Sequence, residues 1–85
     1  MPKYKVTFEV KSWDNDESHL TEQEFEADSL NALHDLLSEG IEDETIQPEN
    51  DVPFIDGDFN VEYVLIHNEN GEEIYRDEDY QPKKN

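Results

Sequence analysis

The feature that most limits how this chain can fold is a long acidic stretch without any basic side chain. Between Ser12 and Tyr75 the 85-residue sequence has 20 Asp or Glu and no Lys or Arg, and the net charge of the whole chain is -18. Acidic sequences of low hydrophobicity are often disordered, because they bury too little apolar surface to offset the loss of chain entropy. This chain can fold only if its apolar residues, 33% of the total, lie in regular patterns.

Two such patterns lie near the start of the sequence. Residues 3–12 and residues 21–28 each alternate apolar and polar side chains, which predicts two half-buried strands. The polar run between them favours a hairpin, and we expect a register that sets Phe8 opposite Phe25 on the core side. On the outer side this register pairs lysines with acids, namely Lys5 with Asp28 and Lys11 with Glu22.

A short amphipathic helix is predicted at residues 29–39. Asp28 or Ser29 can cap its N-terminus with a side-chain oxygen. Gly40 suits the left-handed conformation that ends many helices, with Ile41 folding back onto the last turn. One apolar stripe follows the helix and consists of Leu30, Leu33, Leu36 and Leu37.

A second hairpin is predicted at residues 60–68 and 72–77. The first of these strands is apolar on both faces, which is typical of a central strand. Asn70-Gly71 between them suits a type I′ turn, in which both central residues have positive φ.

The predicted fold class is α+β, a four-stranded antiparallel sheet in the order β-β-α-β-β with one helix packed on one face. Residues 1–77 form the single domain, and residues 78–85 are expected to be a flexible tail. The acidic connection at residues 42–57 should contact the core through Val52, Phe54 and Ile55. The predicted core consists of Tyr4, Val6, Phe8, Val10, Phe25, Leu30, Leu33, Leu37, Val64, Ile66 and Tyr75 or Ile74.

Composition excludes several classes of function. So strong a negative charge repels nucleic acid phosphates and anionic membranes, so direct binding to either is not expected. The absence of Cys excludes disulfides, thiolate metal sites and Cys nucleophiles. No apolar run reaches the ~18 residues of a membrane span, and the polar start lacks the apolar stretch of a signal peptide, so we expect a cytoplasmic protein.

Calcium binding and catalysis both find little support in the residues. Asp14, Asp16 and Ser18 have the spacing that opens an EF-hand loop, but His19 stands where Gly is needed and Phe25 where the bidentate Glu is needed. Asp56, Asp58 and Asn60 begin in the same way and fail at the same two positions. The histidines His19, His34 and His67 are scattered over a loop, a helix surface and a strand end. We therefore predict no catalytic residue, no metal site and no cofactor.

The excess of acid itself needs an explanation. A domain of this size needs a net charge of only about 2 to 8 for solubility, and a further excess destabilises the fold by repulsion. A partner with a large basic cleft would compensate these charges, and such partners normally bind DNA or RNA. In size, charge and α+β layout the chain resembles the small acidic proteins, many of them encoded by phages, that mimic nucleic acid. They include anti-CRISPR, anti-restriction and uracil-DNA glycosylase inhibitor proteins.

This resemblance implies a non-enzymatic inhibitor, a monomer or small homo-oligomer, whose partner is a basic nuclease, restriction, CRISPR or repair enzyme in a host cytoplasm. The residues point to two candidate surfaces for the contact. The favoured one is an acidic belt that consists of Asp14, Asp16, Glu17, Glu42, Asp43, Glu44, Glu49, Asp51, Asp56 and Asp58. The second is the strand face at Glu22, Glu24 and Glu26, where alternate side chains about 6.6–6.8 Å apart would imitate phosphates roughly 7 Å apart.

Trp13, the single tryptophan, has two interpretations. It closes the core at the hairpin end, which we favour, or it stands at the surface as an anchor for a partner. The excess of acidic residues also has two alternative explanations. The chain could be a soluble domain of a halophile, in which the acids bind water, or a calcium-responsive binding module.

Overall fold

The computed structural model describes residues 1–13, 18–52 and 57–80. It has the predicted α+β class, with one helix on a four-stranded antiparallel sheet of strand order β2-β1-β3-β4. Strands β1 and β3 are therefore the two inner strands. The elements in chain order are β1 (Lys3–Ser12), β2 (Ser18–Glu26), α1 (Leu30–Glu42), a short 3-10 helix (Pro48–Asp51), β3 (Phe59–His67) and β4 (Glu73–Arg76).

The register of β1 and β2 differs from the predicted one by four residues. Phe8 lies opposite Thr21, and Phe25 lies opposite Tyr4. A shift by an even number leaves every side chain on its predicted face, so alternation alone cannot distinguish the two registers. Phe8 and Phe25 are nevertheless neighbours, with ring centroids 6.0 Å apart in an edge-to-face arrangement.

The core lies between α1 and one face of the sheet. Val6, Phe8 and Ile66 from the two inner strands pack with Leu33 and Leu37 of α1, and all five side chains are fully buried. Phe25 and Leu30 from the predicted core are only half-buried. Leu36 was wrongly placed in the helix stripe, because its side chain points away from this cluster and is 39% exposed.

A bulge in β3 changes which of its residues face the helix. Pairing with β1 shifts between Thr7 and Phe8, so that Tyr63 lies opposite Phe8 while Ile66 lies opposite Val6. The extra residue, Val64, breaks the alternation of the strand. Tyr63 therefore joins the helix side, where a strict period of two had not placed it.

The helix begins as predicted and ends later than predicted. Ser29 is the N-cap, and its hydroxyl accepts a hydrogen bond from the Ala32 backbone N–H at 3.2 Å. Gly40 does not end α1 but lies inside it, because its missing side chain leaves room for Ile46 to pack directly against the helix backbone. The left-handed position falls on Glu44, with φ of 62°.

Hydrogen bonds confirm the predicted Schellman-type end of α1 but not its predicted position at Gly40. The Glu44 N–H donates to the Ile41 carbonyl, and the Thr45 N–H donates to the Gly40 carbonyl. This is the bond pattern of a Schellman motif, four residues later than predicted.

The β3–β4 hairpin contains a longer loop than the predicted type I′ turn. Gly71 has φ of 83°, whereas Asn70 is not among the described residues with positive φ. The Gly71 N–H donates to the Asn68 carbonyl, and the Asn68 N–H donates to the Glu72 carbonyl, as in a type I turn followed by a glycine bulge. The Asn68 side-chain oxygen stabilises this loop, because it accepts the N–H groups of Asn70 and Glu72.

Residues early in the connection after α1 contact the core. Ile46 packs on Gly40, and Pro48 is buried, whereas Val52 is half-buried. The predicted contacts at Phe54 and Ile55 lie outside the described residues. So do residues 81–85 of the predicted tail, while Tyr80 is half-buried after a turn that begins at Asp77.

Candidate functional site

The sheet separates the charges of the chain into two unequal sides. Residues of β1 with even numbers face α1, so Lys3, Lys5 and Lys11 project from the opposite face, which we call the back of the sheet. Arg76 lies opposite Leu65, which itself lies opposite Thr7, and so it shares this face. All the basic side chains in the described ranges therefore lie on the back of the sheet.

The side that carries α1 has no such compensation. Residues 28–52 contain eight acids and no Lys or Arg. We call these acids the helix layer. Its members are Asp28, Asp35, Glu39, Glu42, Asp43, Glu44, Glu49 and Asp51.

Acids of the helix layer gather at the end of α1 where they are least favourable. The first turn of α1 has no acidic residue and the last turn has no basic one, while Glu42, Asp43 and Glu44 follow one another at the C-terminus. The C-terminal end of a helix carries partial negative charge, so each acid there costs about 0.3–1 kcal/mol. The placement of these charges thus weakens the helix.

The 3-10 helix carries two further acids of the helix layer to the sheet. Pro48 is buried beneath it, which fixes the segment against the edge of the core. The Gln23 side-chain amide on β2 donates a hydrogen bond of 2.9 Å to the Asp51 carboxylate. Glu49 is half-buried and Asp51 is exposed, so Asp51 is the better placed of the two to meet a partner.

The other members of the predicted acidic belt have different positions. Asp58 is exposed just before β3, and its backbone carbonyl accepts a hydrogen bond from the Trp13 N–H. Four members lie outside the described residues, namely Asp14, Asp16, Glu17 and Asp56.

The strand face at Glu22, Glu24 and Glu26 lies on the back of the sheet. With the observed register, Glu24 is opposite Lys5 and Glu26 is opposite Lys3. The predicted register had instead paired Lys5 with Asp28 and Lys11 with Glu22. Glu22 is opposite Thr7 and has no basic residue across from it. Two of the three strand-face glutamates therefore have a lysine as cross-strand neighbour, which the helix layer lacks.

Trp13 does not close the core. Its position continues the alternation of β1 onto the back of the sheet, away from α1, and its side chain is 70% exposed. The favoured interpretation is therefore wrong for this residue, and the surface position agrees with the alternative.

A half-buried polar cluster that the sequence patterns missed joins α1 to the sheet. His34 Nδ1 and the Tyr63 hydroxyl lie 3.0 Å apart in a hydrogen bond, and the His34 ring packs edge-on against Tyr75 with centroids 4.8 Å apart. Burial, together with the neighbouring Tyr63 and the Asp77 carboxylate, raises the pKa of the Tyr75 hydroxyl. His34 was predicted on the helix surface, but the bulge in β3 brings Tyr63 under it, and no sequence signal marks that bulge.

One ion pair is formed near the end of β4. The Arg76 guanidinium binds the Glu73 carboxylate in two hydrogen bonds, the shorter of 2.7 Å. The hydrogen bond from Arg76 lowers the pKa of the Glu73 carboxyl. Both side chains are exposed, so the pair contributes little to stability.

Within residues 1–13, 18–52 and 57–80, no group of His, Asp and Glu is arranged to hold a metal ion. No helix in those ranges is long and apolar enough to cross a membrane. Comparisons with protein-family models, curated proteins and solved structures give no match to this chain.

Proposed function

We propose that this chain is a non-enzymatic inhibitor that occupies the positively charged nucleic-acid-binding cleft of a DNA- or RNA-binding protein. It does so by presenting carboxylates in place of backbone phosphates. The observation that carries the proposal is the separation of charge by the sheet. Residues 28–52 contain the eight acids of the helix layer and no Lys or Arg, whereas the described Lys and Arg side chains all lie on the back.

Repulsion supports this interpretation, because the end of α1 carries several acids and its last turn has no basic residue. The helix C-terminus already carries partial negative charge, and Glu42, Asp43 and Glu44 add to it. A basic cleft would remove this repulsion on binding, and mutual attraction would accelerate the encounter. The partner class is therefore a nuclease, restriction, CRISPR or repair enzyme, and the compartment is the cytoplasm in which such an enzyme works.

The test begins with a capture of partners from bacterial lysate on the immobilised chain, eluted in steps of rising salt. A captured protein is then purified, and its binding to the chain is measured in competition with duplex DNA or RNA. We expect a complex that competes with nucleic acid and weakens as salt rises, since screening acts on exposed charges.

A matched pair of variants locates the contact. The first replaces Glu42, Asp43, Glu44, Glu49 and Asp51 by their amides, which removes five charges and keeps size and hydrogen-bonding capacity. The second removes five charges from the back of the sheet and the β3–β4 loop, at Glu22, Glu24, Glu26, Glu69 and Glu72. The first variant should weaken binding by at least about tenfold, or ~1.4 kcal/mol, with a shallower salt dependence, and the second by much less.

The opposite ranking would move the contact to the strand face. Unchanged affinity in both folded variants, or a complex that does not compete with nucleic acid, would refute charge mimicry. A chain that captures no partner and gains stability steadily into molar salt would instead fit hydration of a halophile's protein.

A further inference from the structure

An open groove runs over the back of the sheet, on the face opposite the helix layer. Its volume is about 640 Å³, within the ~300–1,000 Å³ that ligand pockets occupy. Strands β1 and β3 form its floor, and the turn that follows β4 lines it through Asp77, Asp79 and Tyr80. The proposed function assigns its contact to the helix layer and not to this groove.

An exposed tryptophan on a fixed backbone stands in this groove. The Trp13 N–H donates to the Asp58 carbonyl at 2.9 Å, just beyond the β1–β3 ladder, yet 70% of the side chain is exposed. A large rigid side chain held in this way loses little entropy when a partner covers it, which is why Trp is enriched among residues that dominate binding. Tyr80, half-buried, gives the groove a second aromatic ring.

The same groove concentrates uncompensated carboxylates. Glu9 and Glu62 lie directly opposite each other on β1 and β3, a like-charge pair that destabilises an antiparallel ladder. Asp77 and Asp79 add two more acids to the groove. Among its described residues, Lys11 is the one basic residue. A cation placed beside Glu9 and Glu62 would therefore relieve a repulsion already present in the fold.

The chemistry of the groove selects the kind of cation. The described carboxylates are not arranged to hold a metal ion. Aromatic faces beside carboxylates suit the flat, delocalised guanidinium of arginine, which stacks on rings and binds carboxylates through paired hydrogen bonds. Trp13 follows Glu9 by four residues, just beyond the end of β1. Four residues of extended backbone span about 13 Å, which is also the distance between residues i and i+4 of an extended peptide.

We propose that this groove binds an extended, arginine-bearing segment of a partner protein. One guanidinium lies against Glu9 and Glu62, and a second, four residues along the segment, lies against Trp13. The site is on the opposite side of the sheet from the helix layer, so it does not depend on the proposed function.

The groove can be tested directly, because Trp13 is the one tryptophan of the chain and its fluorescence reports on the site. The probe is acetyl-Gly-Arg-Gly-Ser-Gly-Arg-Gly-amide, titrated at low salt, and its control is the same peptide with citrulline for arginine. Citrulline keeps the shape and removes the charge. We expect a saturable fluorescence change with the arginine peptide. The citrulline peptide should bind at least roughly tenfold more weakly.

Two double variants separate the groove from general attraction to an acidic protein. Glu9→Gln with Glu62→Gln removes the facing pair, and Asp35→Asn with Glu39→Gln removes the same charge from exposed positions on α1. The first should weaken peptide binding by roughly fivefold or more without lowering the melting temperature, and the second by less than about twofold.

Equal losses in the two variants, or equal binding of the citrulline peptide, would overturn the proposal, because either result would mean attraction without a site. A chain that forms dimers in sedimentation without peptide, with Trp13 protected in the dimer, would assign the groove to a second copy and would also overturn it.

Discussion

Glu44 holds a backbone conformation that few residues other than glycine adopt readily. Its φ of 62° places it at the left-handed position of the Schellman motif, directly after the C-cap of α1. A side chain in this region is strained, and here its charge also lies at the negative end of the helix. Backbone strain and an unfavourable charge therefore both destabilise the fold at Glu44, a position that the proposed function assigns to partner binding.

Replacing Glu44 by Gly should raise the free energy of unfolding by about 0.5–1.5 kcal/mol, since it removes both the strain and the charge. Glu44→Gln, which removes only the charge, is the control and should give a smaller gain. Urea unfolding followed by circular dichroism measures both. A Gly variant no more stable than the Gln variant would show that the backbone is not strained there.

Gly40 is needed for the opposite reason, namely the space that it leaves. A methyl group added at this position would overlap the Ile46 side chain. Gly40→Ala should therefore destabilise the fold by about 1–3 kcal/mol, although alanine is the better helix former. Combining it with Ile46→Ala should recover the loss caused by the overlap, and strictly additive effects in this double-mutant cycle would contradict the contact.

Tyr75 gives a prediction for alkaline pH. Burial raises the pKa of its hydroxyl above the ordinary value of 10.0, so the folded state favours the neutral phenol. Its contribution is complete below pH ~10 and is lost as the pH rises through the folded pKa. Unfolding free energy should thus fall above pH ~10, and less steeply in Tyr75→Phe; parallel curves for the two proteins would contradict this.

At the scale of elements, α1 is held to the sheet by a few leucines and by the cluster around His34. Leu33 and Leu37 are fully buried, whereas Leu36 on the same helix is 39% exposed. The helix has no favourable charge arrangement of its own, so its stability depends on this packing.

Leu33→Ala should cost roughly 2–5 kcal/mol of unfolding free energy, because it opens a cavity at the centre of the core. Leu36→Ala is the matched control on the exposed side of α1 and should cost less than about 1 kcal/mol. Thermal and urea unfolding of the two variants check this. Similar losses would mean that α1 does not pack as described.

Local patterns predicted the elements well and their mutual alignment less well. Alternation placed β1 at residues 3–12, because each of its apolar side chains faces one core. The same alternation is unchanged by an even shift of register, and cross-strand charge pairs are worth only a few tenths of a kcal/mol, so the β1–β2 alignment could not be predicted. Gly40 was misinterpreted because a glycine that allows close approach and one that ends a helix look the same in a sequence.

The sequence predicts which acidic residues are available to the candidate site, but not how charged side chains are distributed over the two faces of the sheet. The absence of basic residues from Ser12 to Tyr75 is visible in the sequence. The placement of the basic side chains on one face depends on strand parity together with the position of α1, and the groove near Trp13 depends on the turn after β4.

At the scale of the whole molecule, charge acts over distances comparable to the protein itself. The shortest dimension is 20 Å. The Debye length is about 30 Å at 0.01 M salt and about 10 Å at 0.1 M, so carboxylates on both sides of the sheet repel one another only in dilute salt.

The melting temperature should therefore rise between about 10 mM and about 300 mM NaCl, as screening reduces the repulsion. The variant with amides at Glu42, Asp43, Glu44, Glu49 and Asp51 should show a smaller rise and a higher starting value. Equal melting temperatures of the unmodified chain in the two salt concentrations would contradict the repulsion from which the functional proposal starts.

The strand order β2-β1-β3-β4 has a consequence for folding during synthesis on the ribosome. Strand β1 is made first and pairs early with β2, but its other edge waits for β3, which ends at His67. At ~5–20 residues per second, the interval between Ser12 and His67 lasts about 3–11 s. Once β2 is complete at Glu26, a nascent hairpin with Val6, Phe8 and Val10 on one face waits for β3 to complete its core, and the negative charge of the acids added behind it disfavours association with neighbouring nascent chains.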